Sequence, residues 1–152
     1  MHAKKAPVHT YILSSFDYLT LRAPKFDLVL KHLLKAAQFL RDGNDSKSIG
    51  ESSSALEAYF RILANSDKEY SVVSKESLKS IPLHPIIKSR FDVPYHFASD
   101  ISDGRHAAKQ AGYNADRFDA QYIFTHCCFD IQYLINKQNV KTQEKEPILV
   151  VT

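Results

Sequence analysis

The sequence predicts an all-α fold, and three observations carry that reading. Apolar residues recur at helical spacing through three long stretches, few segments alternate with period two, and the prolines fall at the ends of or between the periodic stretches rather than in their interiors. The expected arrangement is two long antiparallel helices, a short helical middle and a long buried C-terminal helix. At 152 residues the chain suits one domain, which buries roughly two thirds of the surface its unfolded form exposes. With 44% apolar and 24% charged residues, neither a disordered chain nor a membrane span is expected.

Residues 1–22 show neither clean period and read as an apolar strap or short helix ahead of a domain over 23–137, with a tail over 138–152. Ala23-Pro24 opens the first helix, because proline loses nothing in a first turn whose N–H groups have no intrahelical partner. Phe26, Val29, Leu30, Leu33, Ala36, Ala37 and Leu40 then form one face, and Gly43 in the RDGND turn ends it. A second helix runs from about Ser46 to Asn65, burying Ile49, Leu56, Tyr59, Phe60 and Leu63. Its small residues, Ser52 to Ala55, allow a neighbouring helix to approach closely, which accounts for the serines without catalysis.

In 66–82, Ser74 is expected to cap a turn leading to Leu78 and Ile81, and Pro82 closes it. Pro85 starts a short helix with Ile86, Ile87 and Phe91 inward, and Pro94 ends it by restricting the residue before it. Tyr95 to Asn114 reads as a polar loop. The last helix begins at Asn114 or Ala115, with Asn114 as its cap and Asp116 and Asp119 at its positive end. Phe118, Tyr122, Ile123, Cys127, Phe129, Ile131, Leu134 and Ile135 wrap most of its circumference, so it is expected to be the central helix.

No apolar run is long enough for a signal peptide, and the adjacent Cys127 and Cys128 are badly placed for a disulfide framework, so a reducing, cytoplasmic setting is expected. The net charge of +3 permits nucleic-acid contact without requiring it. Seven histidines fall in no metal-binding motif, and the His126-Cys127-Cys128 run points to different faces of a helix, which suits packing better than a metal. Phosphate-cradling glycine loops and nucleophile elbows are absent too. No metal or cofactor is expected.

The remaining chemistry is Asp103-Gly104-Arg105-His106. Histidine titrates near neutrality and arginine is a permanent planar cation, so the two suit acid/base cleavage of a phosphodiester. A capping or ion-pair role explains the same dipeptide without catalysis.

The stretch from Lys31 to Leu63, the LHPIIKSRF segment (Leu83 to Phe91), SDGRHAAKQ and the helix from Asp119 to Lys137 together resemble the HEPN superfamily, in particular the HEPN domains of bacterial abortive-infection proteins. The resemblance covers roughly 28–137. Ile49, Glu51, Ser52, Ala55 and Glu57 match the family's Ile-x-Glu-Ser-x-x-Ala-x-Glu helix. Gly104-Arg105-His106 matches its Gly-Ile-Arg-His segment without the isoleucine. Asp119, Ala120, Cys128, Ile131, Tyr133, Leu134 and Ile135 follow the pattern of its last helix within a residue or so.

The resemblance implies a bundle of four to five helices that forms a homodimer and cuts RNA without metal, using the RNA's own 2′-hydroxyl, in a defence or toxin system with a possible neutralising partner protein. His106 is then the general acid/base, Arg105 the phosphate clamp and Asp103 an orienting carboxylate, while Lys109, Arg90 and His96 contact nucleic acid. In the family the arginine and histidine stand four to six residues apart. Here Arg105 and His106 are adjacent, and the pair at family spacing is Arg90 and His96, with Pro94 between them. The alternative is a non-catalytic helical module that binds a nucleotide or a partner protein.

Overall fold

The computed structural model describes Leu19, residues 25–101 and residues 113–143. These form six helices: α1 (Asp27–Arg41), α2 (Asp45–Ala64), α3 (Tyr70–Lys79), α4 (Pro85–Arg90), α5 (Val93–Asp100) and α6 (Arg117–Gln143). The protein is all-α, with no strand among the described residues. A single isolated bridge joins Ile101 to Tyr113. None of these helices is long and apolar enough to cross a membrane.

The helix ends follow from local chemistry. Asp27 in the first turn of α1 and Arg41 in its last oppose the helix dipole with favourable charge. Gly43 then takes φ +78°, a left-handed conformation that glycine adopts at no steric cost, and the chain reverses. Asn65 does the same for α2 at φ 49°. The antiparallel register of α1 and α2 is fixed by three contacts that run in opposite order along the two helices. Phe26 stacks on Tyr59, His32 Nδ1 lies 2.6 Å from Glu51 Oε2, and Ser48 Oγ donates to the Ala36 carbonyl at 2.8 Å.

The central helix is α2, not the C-terminal helix that the apolar pattern singles out. From Ser48 to Phe60 it buries residues facing α1, α3, α5 and α6 in turn. Ser48, Ser52, Ser53, Ala55 and Ala58 are small enough for neighbours to close in from several sides. On the α3 side, Ser77 Oγ donates to the Phe60 carbonyl at 2.8 Å and the Phe60 ring meets Tyr70 edge-on. On the α6 side, Tyr59 Oη donates to Gln138 Oε1. Glu57, almost fully buried, is paired with Arg61 one turn on at 2.8 Å.

Several expectations for the middle of the chain are corrected. Ser74 does not cap a turn: it lies buried inside α3, which starts after Glu69. Pro94 opens a helix instead of closing one, because a ring that cannot donate is harmless in the first turn of α5. The expected loop from Tyr95 is therefore helical as far as Asp100. In α4 only the following Phe91 is inward: Ile86 and Ile87 are 63% and 40% exposed. The last helix starts at Arg117, capped by Asp116 rather than Asn114. Asp116 Oδ1 accepts from the Asp119 N–H at 2.9 Å while Asp119 Oδ2 accepts from the Asp116 N–H at 3.0 Å, the reciprocal pattern of a capping box. It then continues into the expected tail, to Gln143.

Candidate functional site

Of the six residues singled out by the sequence, Asp103, Arg105, His106 and Lys109 lie outside the described residues. The bridge from Ile101 to Tyr113 brings together the two positions that flank them. Tyr113 rests edge-on against Phe97 of α5 and shares a hydrogen bond with Asp119, which raises the tyrosine's pKa. The flanks are thus fastened to α5 and to the first turn of α6. Arg90 and His96 are both exposed. No hydrogen bond or ion pair joins these two among the described residues, and His96 instead meets the ring of its neighbour Tyr95 edge-on.

What the fold brings to Arg90 is His126, a residue that the sequence left as packing. Phe91 plugs the corner between α4 and α5: its ring lies edge-on to Phe60 and near Tyr133, and its carbonyl accepts from Tyr70 Oη at 2.6 Å. Burial, followed by the nearby Asp92 carboxylate, drives the Tyr70 hydroxyl far above its usual pKa, so it stays a donor. With this corner held, the Arg90 carbonyl stands 3.3 Å from His126 Nε2 on α6.

His126 Nε2 is also 3.1 Å from Asp130 Oδ2, one turn along α6. A single N–H cannot serve both acceptors well. It is directed at the carbonyl, which leaves the buried Asp130 Oδ2 with the attraction of the ring but no directed hydrogen bond among the described residues. The histidine pKa is raised, first by Asp130, against burial, which lowers it. The Arg90 guanidinium also acts on the imidazole, with the opposite sign to the Arg90 carbonyl. Asp130 is itself raised, because burial outweighs the help it receives from His126.

Beside this pair an open groove of about 600 Å³ runs along the outer face of α6. Phe118, Tyr122 and Phe129 line it with Gln121, Thr125 and His126, and Asp130 lies at its base. These positions share a face because residues three and four apart are neighbours on a helix. Phe118 is 76% and Tyr122 62% exposed. The expectation that apolar residues wrapping most of α6 are buried is therefore corrected: Ile123, Phe124, Cys127, Ile131, Leu134 and Ile135 face the core, while Phe118 and Tyr122 face out.

Cys127 and Cys128 are buried free thiols. Burial pushes the Cys127 thiol well up and that of Cys128 to about 12, so neither supplies a thiolate at neutral pH.

No family model, curated protein or solved structure matches this chain. The site is accordingly described by its own geometry. Among the described residues, no group of three or more His, Cys, Asp and Glu side chains is arranged to hold a metal ion. The arrangement offers an imidazole held between the Arg90 carbonyl and the Asp130 carboxylate, beside an aromatic wall. Two signals for it were in the sequence: the His126-x-x-x-Asp130 spacing, and the aromatic positions 118, 122 and 129 on one helical face.

Proposed function

We propose that this protein is a HEPN-like, metal-independent endoribonuclease of a prokaryotic defence or toxin system, cutting RNA by attack of its own 2′-hydroxyl. One observation supports the reading most: the fold brings the Arg90 backbone carbonyl to 3.3 Å from His126 Nε2, so that two basic residues from distant parts of the chain meet at the corner between α4 and α6. An imidazole that carries and returns a proton, next to a cation for the developing phosphate charge, is sufficient chemistry for phosphodiester cleavage. In this proposal His106 is the general acid/base, Arg105 the clamp and Asp103 the orienting carboxylate. Arg90, His96 and Lys109 hold the strand, and His126 adds a cationic contact beside Arg90.

The experiment is cleavage of structured and single-stranded RNA with a chelator present, comparing wild type with His106→Ala and Arg90→Ala. General acid/base catalysis is worth about 10²–10⁴-fold, so His106→Ala should lose at least a hundredfold. Equal cleavage by wild type and His106→Ala removes that residue from the mechanism. The proposed site is composite, with two copies facing one cleft, so sedimentation should give a dimer. A dimer that buries the two 102–112 segments away from each other sinks the reading.

A second reading, a non-catalytic module that binds a nucleotide or a partner protein, is favoured by how His126 is used. Both contacts of its Nε2 are made within the chain, to Arg90 and Asp130, as a structural tie between α4 and α6 would require. No turnover of any RNA, together with lowered stability of His126→Ala, would decide for it.

A further inference from the structure

The contact between His32 and Glu51 ties α1 to α2, but it leaves one ring nitrogen unused. Glu51 Oε2 stands 2.6 Å from His32 Nδ1. A carboxylate can only accept, so Nδ1 carries the ring proton and, in the neutral ring, Nε2 holds the lone pair. Among the described residues Nε2 has no hydrogen-bond partner. Nor is it enclosed: the His32 side chain keeps 24% of its surface in water, and Nε2 is not among the buried atoms left unpaired.

The surroundings are cationic. Lys35, three residues on, shares the exposed side of α1 with His32. Lys47, four residues before Glu51, is exposed on the facing side of α2, with its ammonium 5.6 Å from the centre of the Phe39 ring. Phe39 lies two turns beyond His32, so both lysines flank the same end of the pair. The other acids of α1 and α2 are engaged or elsewhere. Glu57 is paired with Arg61, and Asp27 and Asp45, five and six residues from the pair, fall on other faces.

An imidazole nitrogen that is accessible and oriented through its other nitrogen is a nucleophile. Neighbouring lysines favour an electrophile that is anionic. A metal ion meets neither condition: the lysines repel it, and no third ligand stands ready among the described residues.

We propose that His32 is a phosphoryl acceptor, modified on Nε2, with Glu51 as its positioning residue. The N–P bond forms as the bond from phosphorus to the donor's leaving group breaks. The Nδ1 proton stays on the ring, where the Glu51 carboxylate balances the imidazolium that results. Because a phosphorylated imidazole is itself an activated phosphoryl compound, its donor must be activated too: a phosphoramidate, which releases its amine, or an acyl phosphate, which releases a carboxylate. The inference draws on α1 and α2 alone and is independent of the RNA reading.

The test treats the full chain with phosphoramidate in one arm and acetyl phosphate in the other, and follows phosphate on each histidine by mass spectrometry at alkaline pH, which preserves the N–P bond. His84 and His96 are internal references. Both are exposed, so access alone would label them ahead of half-buried His32. The reverse order is expected, and the arm that gives it identifies the donor class. The carboxylate that orients a metal-bound histidine is worth about 10- to 100-fold. By the same reasoning Glu51→Gln, which keeps an acceptor for Nδ1 but removes the charge, should slow labelling of His32 by about that factor and leave His84 and His96 unaltered. Circular dichroism checks that the variant folds.

Labelling of His32 no faster than that of His84 and His96 in both arms overturns the proposal and leaves the pair as a tie between helices. Equal rates at His32 in wild type and Glu51→Gln overturn it as well, since His32 would then react as any accessible imidazole does.

Discussion

At His126 four influences compete, and their ranking gives a prediction. The Asp130 carboxylate raises the pKa most, burial opposes it, the Arg90 carbonyl raises it and the Arg90 guanidinium lowers it, with a net rise above the ordinary 6.5. A group that binds its proton more tightly when folded stabilises the fold fully below the unfolded value and loses that contribution as pH rises through the folded one. Stability should therefore decline from pH 6.5 upward. Asp130, raised by burial, has the same sign at the acid end, since the fold retains a proton that the unfolded chain begins to release near 3.8. Urea midpoints across the neutral range should show the decline in wild type and a flatter profile in His126→Gln. A wild-type profile that is flat or rises above pH 6.5 would contradict the assignment. In the sequence His126 is half legible: its neighbours argue against a shared site, but the carboxylate four residues on gains meaning only once α4 delivers a carbonyl to the same nitrogen.

The helix α6 illustrates why single elements are harder to orient than to detect. Its length and apolar content predict a helix correctly, yet apolar residues on nearly every face do not say which side the core takes. The neighbours decide. Ile123, Cys127, Ile131, Leu134 and Ile135 meet α2 and its partners, leaving Phe118, Tyr122 and Phe129 outside. Ile131→Ala should accordingly cost about 2–5 kcal/mol through a cavity beside α2, whereas Tyr122→Ala should stay within about 0.5 kcal/mol. Thermal melts of the two variants check the contrast, and comparable losses would mean that the faces are reversed. The opposite problem arises in α2, whose serines lower its apparent hydrophobicity although they sit at the centre of the bundle. Ser52 is fully buried and donates to the Ser48 carbonyl at 2.9 Å within its own helix. Ser52→Leu should overpack this crowded position and destabilise by about 1–3 kcal/mol, read as a lower urea midpoint with an unchanged slope.

Across the whole molecule, the long periodic stretches at 27–64 and 117–137 are legible because each carries several turns of pattern, whereas the polar run into which α6 continues, as far as Gln143, carries no apolar period to mark it as helix. The stretch from 66 to 101 is not legible, because its helices run from six to ten residues and their prolines are ambiguous between opening and closing a turn. That stretch supplies Arg90, so the part of the site contributed by tertiary contact was the part least visible in sequence. The same global view limits how RNA can be held. A net charge of +3, with basic residues interleaved with acids, permits contact with phosphates without requiring a broad cationic field. If the permanent cations Arg90, Arg105 and Lys109 neutralise about three phosphates, as the proposed nuclease reading requires, the logarithm of affinity for a single strand should fall with that of salt at a slope of about −2.1, some eighteenfold between 50 and 200 mM. A slope shallower than about −0.7 would mean that no more than one phosphate is neutralised, and the roles given to Arg90, Arg105 and Lys109 would then fail together.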